Sequence, residues 1–87
     1  MADQTVKDRI RDELRSAYFN RPDDLVDVSD GDADNIHVVV VSRQLGGMRS
    51  REKVDLIWSV LTQSTSPDQW GRISLVTATS PEDLKAL

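Results

Sequence analysis

The sequence predicts an α+β domain, a two-layer sandwich with two long helices on one face of a three-stranded mixed sheet, in the order αββαβα. Three observations carry this. Two stretches repeat apolar residues at helical spacing, three short segments are β-branched or alternate, and Gly, Pro and Asp separate them. Each long helix carries one apolar stripe, and sequential elements tend to neighbour one another in space, so both stripes are expected on the same sheet face.

In the first helix Val6, Ile10, Leu14 and Ala17 recur at spacings of four, four and three, with Lys7, Asp8, Arg9, Arg11, Asp12, Glu13 and Arg15 between them. Asp3 or Thr5 is expected to cap it, and Asn20 with Pro22 to end it. Asp24 to Ser29 reads as a strand between Pro22 and the Asp30-Gly31-Asp32 turn. Ile36 to Ser42 is β-branched almost throughout and too short for a buried helix, so it pairs with the first strand across a hairpin. The Gly46-Gly47 pair marks a loop, where the backbone can take positive φ or approach another group closely. Ser50 reads as the cap of the second long helix, with Glu52 in its first turn and Val54, Ile57, Trp58 and Leu61 as its stripe, ending near Gln63. Ser66-Pro67-Asp68-Gln69 predicts one short helical turn. Ile73, Leu75 and Thr77 alternate with Arg72, Ser74 and Val76 as a third strand. Ser80-Pro81-Glu82-Asp83 opens a terminal helix, with Leu84 and Leu87 left to dock.

The 87 residues fit one domain, and a chain this short buries only roughly 60 to 65% of its unfolded surface. At 38% hydrophobic and 30% charged, the composition is that of a folded domain rather than a disordered one. Cysteine is absent, which removes disulfides, thiolate metal sites and a cysteine nucleophile. Met1 to Thr5 carries Asp3 and no apolar run, so neither a signal peptide nor a membrane span is expected and the cytoplasm is the default. The net charge of −4 opposes indiscriminate binding to phosphate backbones, so any nucleic-acid contact must be local. One histidine and no cysteine leave no nucleophile–base pair, and no phosphate-binding glycine motif is present, so the chain is expected not to be an enzyme.

Three collinear segments resemble the BolA family, whose fold is similar to the type II KH domain. VKDRIRDELRSAY resembles its first helix, VVVVSRQLGG its second strand and following loop, and ISLVTATSPEDL its last strand and terminal helix, together spanning roughly residues 6 to 84. The resemblance implies a non-enzymatic protein linked to stress response, morphology and transcription. It also implies a partner of monothiol glutaredoxins that shares a [2Fe-2S] cluster with them. The departures bear on chemistry. Leu45-Gly46-Gly47 stands where the family has an aromatic, a small residue and glycine, and Lys53-Val54 where it has an Arg-His pair. Arg72 replaces the histidine at the start of the third strand, and the second ligand position falls near Asp34 or Asn35. None of these is a soft ligand, so cluster sharing is expected to be lost or altered.

The candidate contact surface is the set Arg43, Gly46, Gly47, Arg49, Arg51 and Lys53, where a glycine loop leads into a helix start and basic side chains add reach toward a phosphate. Its bland reading is a solvated charged face. The lone His37 could ligate iron or zinc, but a single imidazole is a poor site and a satisfied strand residue is the simpler reading. Asp23, Asp24, Asp27, Asp30, Asp32 and Asp34 line the hairpin without the closing Glu of a calcium loop, and read as a solvated acidic edge. Trp58 is expected in the core and Trp70 as a loop anchor.

The leading expectation is an interaction module acting through protein or local nucleic-acid contacts. A glutaredoxin partner that binds without a cluster, or through His37 alone, is the alternative. A third reading is an accessory domain docking its acidic hairpin on a basic protein. The sequence does not set the oligomeric state.

Overall fold

The structure, a computed structural model, describes residues 4–85. It comprises α1 (Gln4–Ala17), β1 (Leu25–Asp30), β2 (Ile36–Val41), a single 3₁₀ turn (Arg43–Leu45), α2 (Ser50–Ser64), α3 (Pro67–Trp70), β3 (Ile73–Thr79) and α4 (Pro81–Lys85). The fold is α+β with a three-stranded mixed sheet. β2 is central, antiparallel to β1 across a five-residue hairpin loop and parallel to β3. A parallel pair needs a crossover, and α2 with α3 supplies it.

The sheet buries one face. Val26, Val28, Ile36, Val38, Val40 and Ile73 point to the helices and meet Ile10, Leu14, Ile57 and Leu61 in one apolar cluster. Alternation forces this on β1 and β2, because successive side chains point to opposite faces. Leu14 and Ile57 are fully buried, and truncating either to Ala would cost about 2–5 kcal/mol. Trp58 and Trp70 pack on the cluster half-buried and meet edge to face, with centroids 6.2 Å apart, fixing α3 to α2.

Several boundaries differ from the expectation for identifiable reasons. Thr5 lies inside α1 and so does not cap it, and Asp3 is outside the described residues. α1 stops at Ala17, three residues before Asn20, when the Phe19 N–H turns back to the Leu14 carbonyl at 2.9 Å and buries its ring. Ser50 is the first helical residue of α2, and Arg49 is the cap. Leu84 is 46% exposed and does not dock; Leu87 lies outside the described residues.

The buried stripes are also rotated from the ones the apolar pattern suggests. In α1 the buried residues are Lys7, Ile10 and Leu14, and in α2 they are Lys53, Ile57, Val60 and Leu61. Each helix thus starts its inner stripe with a lysine, whose methylene stem covers apolar surface while the ammonium reaches a carboxylate at the rim. Lys7 pairs with Asp30 at the end of β1 at 3.1 Å, and Lys53 with Asp83 of α4.

β3 holds a feature that alternation does not reveal. Ile36 pairs with Ile73 but His37 pairs with Leu75, so Ser74 is an extra residue in a bulge. Ile73 faces the core, and beyond the bulge Val76 and Ala78 pack against it while Leu75 and Thr77 point outward. Leu75→Ser is therefore expected to change stability by no more than about 0.5 kcal/mol, whereas Val76→Ser costs about 1–2 kcal/mol. Urea denaturation of the two variants reads this directly. Equal costs would mean that the bulge is not populated.

Candidate functional site

The candidate loop is built on a buried polar hub. Asp24, at the entry to β1, is buried and accepts hydrogen bonds from the Ser42 hydroxyl at 2.7 Å, the Arg21 N–H at 3.2 Å and the Gln44 side-chain amide at 3.3 Å. Ser42 also caps the 3₁₀ turn by accepting the Gln44 N–H at 3.2 Å. Leu45 is fully buried just beyond it. The chain leaving β2 is thus fixed on both sides, and the glycines follow from a rigid base.

The two glycines meet different demands. Gly46 has an ordinary φ of −63°, but an added Cβ would stand 3.2 Å from the Arg43 carbonyl oxygen, so the close approach needs a small residue. Gly47 has φ +81° with nothing within 4 Å of an added Cβ, so it supplies the left-handed turn and faces open space. The turn feeds α2, whose first N–H groups have no partners within the helix. Glu52 reaches back to accept the Arg49 N–H at 2.9 Å, while the Arg49 side chain has no acceptor with which to return the bond.

The basic residues divide into three kinds. Arg43 is exposed and pairs with Asp23 at 3.2 Å, a solvent-screened contact of little energetic weight. Arg49 and Arg51 are exposed and make no ion pair among the described residues; two positions apart, they flank the start of α2 rather than share one face. Lys53 is 6% exposed, and its ammonium is held by Asp83. The sequence pattern treats Lys53 as a surface cation. The signal that places it inside is its spacing of four and eight from Ile57 and Leu61.

The carboxylate on the other side of that pair is perturbed. The Lys53 ammonium, followed by the Ser80 hydroxyl, holds Asp83 below its ordinary value of 3.8. The Asp83 N–H also donates to Ser80 Oγ at 3.2 Å, so the same residues start α4. Because the folded value lies below the unfolded one, the pair contributes stability above about pH 4 and loses it as the pH falls through the lower folded value. No residue of α4 is buried, so this pair and the Ser80 cap are its main attachments. On acidification the Leu84 amide, which donates to the Ser80 carbonyl, is expected to lose exchange protection before the sheet does. Asp83→Asn should reproduce that loss at neutral pH. Protection that survives both changes would show that α4 is held by other contacts.

The positions that the BolA resemblance assigns to cluster ligands do come together. Ile36 pairs with Ile73 and donates its N–H to the Arg72 carbonyl at 2.9 Å, which sets Asn35 and Arg72 side by side at the heads of β2 and β3. Their chemistry does not fit a [2Fe-2S] cluster, because an arginine stays protonated, an amide is a poor iron ligand, and Asp34, the other position that the resemblance offers, is a hard carboxylate rather than a soft ligand. His37 lies on the outer sheet face with its Nε2 3.2 Å from Thr77 Oγ1. The hairpin carboxylates disperse: Asp24 is the buried hub, Asp23 and Asp30 pair with Arg43 and Lys7, and no group of three or more metal-ligating side chains forms among the described residues. Among those residues no helix is long and apolar enough to cross a membrane.

Compared with family models, curated proteins and solved structures, the chain matches none.

Proposed function

We propose that this chain is a BolA-like, non-enzymatic interaction module of the cytoplasm that makes local, sequence-independent contact with nucleic acid through the start of α2. The observation that carries the reading is the pair Arg49 and Arg51, exposed and without ion pairs among the described residues, beside the open backbone of Gly47. Two guanidiniums at a helix start are suited to phosphate, since each offers a planar fork of donors and the helix dipole adds favourable charge. Arg43 adds a third cation once a phosphate displaces Asp23. Lys53 serves the fold rather than the ligand, because its ammonium is already held. The family's role in stress response and transcription regulation is consistent with such a contact. Fluorescence anisotropy with a labelled 20-nucleotide strand, at two salt concentrations, tests it: binding should be salt-sensitive and weakened in Arg49→Ala/Arg51→Ala.

The glutaredoxin reading is retained only as a cluster-free contact. Mixed with a cluster-loaded monothiol glutaredoxin, the protein is expected to leave the visible spectrum unchanged, because Arg72 and the Asp34-Asn35 pair stand where the BolA resemblance puts the ligands. A spectral change abolished by His37→Ala would replace the proposal with cluster sharing.

A further inference from the structure

One end of the sandwich gathers more than the basic loop. β1 starts where β2 ends, with Leu25 opposite Val41, so the turn leaving α1 lies beside the 3₁₀ turn that follows β2. The Gln44 side-chain amide crosses between them and donates to the Tyr18 carbonyl at 3.1 Å. Of the chain's Phe, Tyr and Trp residues only Tyr18 is exposed, at 39%; Phe19 is fully buried, and Trp58 and Trp70 pack half-buried against each other. The Tyr18 backbone is fixed on both sides, by Gln44 and by its own N–H on the Leu14 carbonyl at 3.2 Å. Its ring stands edge to face on Phe19 with centroids 5.0 Å apart, and its hydroxyl makes no hydrogen bond among the described residues.

The surroundings of this ring are cationic. Arg21, three residues on, is exposed and makes no ion pair among the described residues, and Arg43 stands next to Gln44. The nearby acids are already engaged, Asp24 as the buried hub and Asp23 with Arg43. Between Gln44 and Arg49 the chain folds back, with the Met48 N–H on the Leu45 carbonyl at 3.3 Å. Arg49 therefore lies closer to Gln44 than the about 17 Å that five extended residues would span.

We infer that the nucleic acid bound at this end is single-stranded and that Tyr18 stacks on one of its bases, with Arg21 and Arg43 toward the adjoining phosphates; the inference rests on the phosphate contact proposed for Arg49 and Arg51. Phosphate contacts position a nucleic acid but do not separate a strand from a duplex. A ring face does. Bases inside a duplex are covered by their stacked neighbours, whereas a single strand can splay a base onto an aromatic side chain whatever its sequence. The net charge of −4 weakens purely electrostatic attachment, which leaves a larger share of the affinity to stacking.

The probes are a labelled 20-nucleotide oligothymidine strand and the same strand annealed to oligoadenine, titrated by fluorescence anisotropy at about 50 mM salt. The wild type should bind the strand at least about fivefold more tightly than the duplex. Tyr18→Ala and Tyr18→Leu, each folded by circular dichroism, should weaken strand binding at least about fivefold, leave duplex binding unchanged and keep the wild-type salt slope, because no phosphate contact is lost. Tyr18→Phe should bind as the wild type does, since stacking uses the ring and not the hydroxyl. Tyr18 is the only tyrosine, so its ring proton signals are unambiguous, and they should move upfield when the strand is added. The inference is overturned if the duplex binds as tightly as the strand, or if both Tyr18→Ala and Tyr18→Leu bind the strand as the wild type does. In those cases binding that is still lost in Arg49→Ala/Arg51→Ala leaves the phosphate reading standing. A wild type that binds neither probe overturns both.

Discussion

Asp24→Ala is expected to lower the unfolding free energy by about 3 kcal/mol, a large share of the roughly 4–13 kcal/mol that an 87-residue domain holds. Three hydrogen bonds end on that buried carboxylate, from the Ser42 hydroxyl, the Arg21 N–H and the Gln44 amide. Each bond to a charged acceptor contributes about 1.5–3 kcal/mol, and the fully buried Ser42 hydroxyl would lose its acceptor without gaining water. Relief from desolvating the carboxylate offsets part of this sum. Asp23→Ala is the comparison, since its pair with Arg43 is exposed on both sides and should change stability by less than about 1 kcal/mol. Urea denaturation followed by circular dichroism separates the two. If Asp24→Ala unfolds within about 0.5 kcal/mol of wild type, the hub does not hold the loop.

The second large effect is on binding rather than folding. Arg49→Ala/Arg51→Ala removes two phosphate contacts, and on a single strand each such contact accounts for about 0.7 in the slope of log K against log salt. Between 50 and 200 mM salt the wild type should therefore lose about sevenfold more affinity than the variant. Folding should change by no more than about 0.5 kcal/mol per residue, because neither arginine is buried or paired among the described residues. Lys53→Ala behaves in the opposite way: it leaves Asp83 without its cation and uncovers the apolar surface under the lysine stem, so it should lower stability more than it lowers binding. The pattern across these variants distinguishes a ligand-facing cation from a structural one.

The order of elements was legible because helical and strand periodicity are local properties. Ile10 and Leu14, or Val38 and Val40, announce a buried face wherever the element lies. What the pattern misplaced depended on distant partners. Lys7 and Lys53 read as surface charges until Asp30 and Asp83 are brought to them by the fold. Asp24 read as one more acidic hairpin residue, and only the return of β2 sets Ser42 against it. The outward turn of Leu75 was hidden for a related reason. A bulge is a property of the pairing between β2 and β3, and Ser74 carries no local mark of it. In the loop, Gly46 and Gly47 announced themselves, with one taking each of the two roles expected of glycine. Of the four cations around them, the sequence had no means of telling the two exposed arginines from the paired Arg43 and the buried Lys53.

The salt dependence of nucleic-acid binding tests the central claim most directly. Anisotropy titrations of a 20-nucleotide strand between about 50 and 200 mM salt should give wild-type protein a slope of about −2, with Arg43 as the third contact. The Arg49→Ala/Arg51→Ala variant, folded by circular dichroism, should retain a slope near −1 or none. A wild-type protein that does not bind at 50 mM salt, or a variant whose slope equals the wild type's, would contradict the account and leave Arg49 and Arg51 as a solvated face.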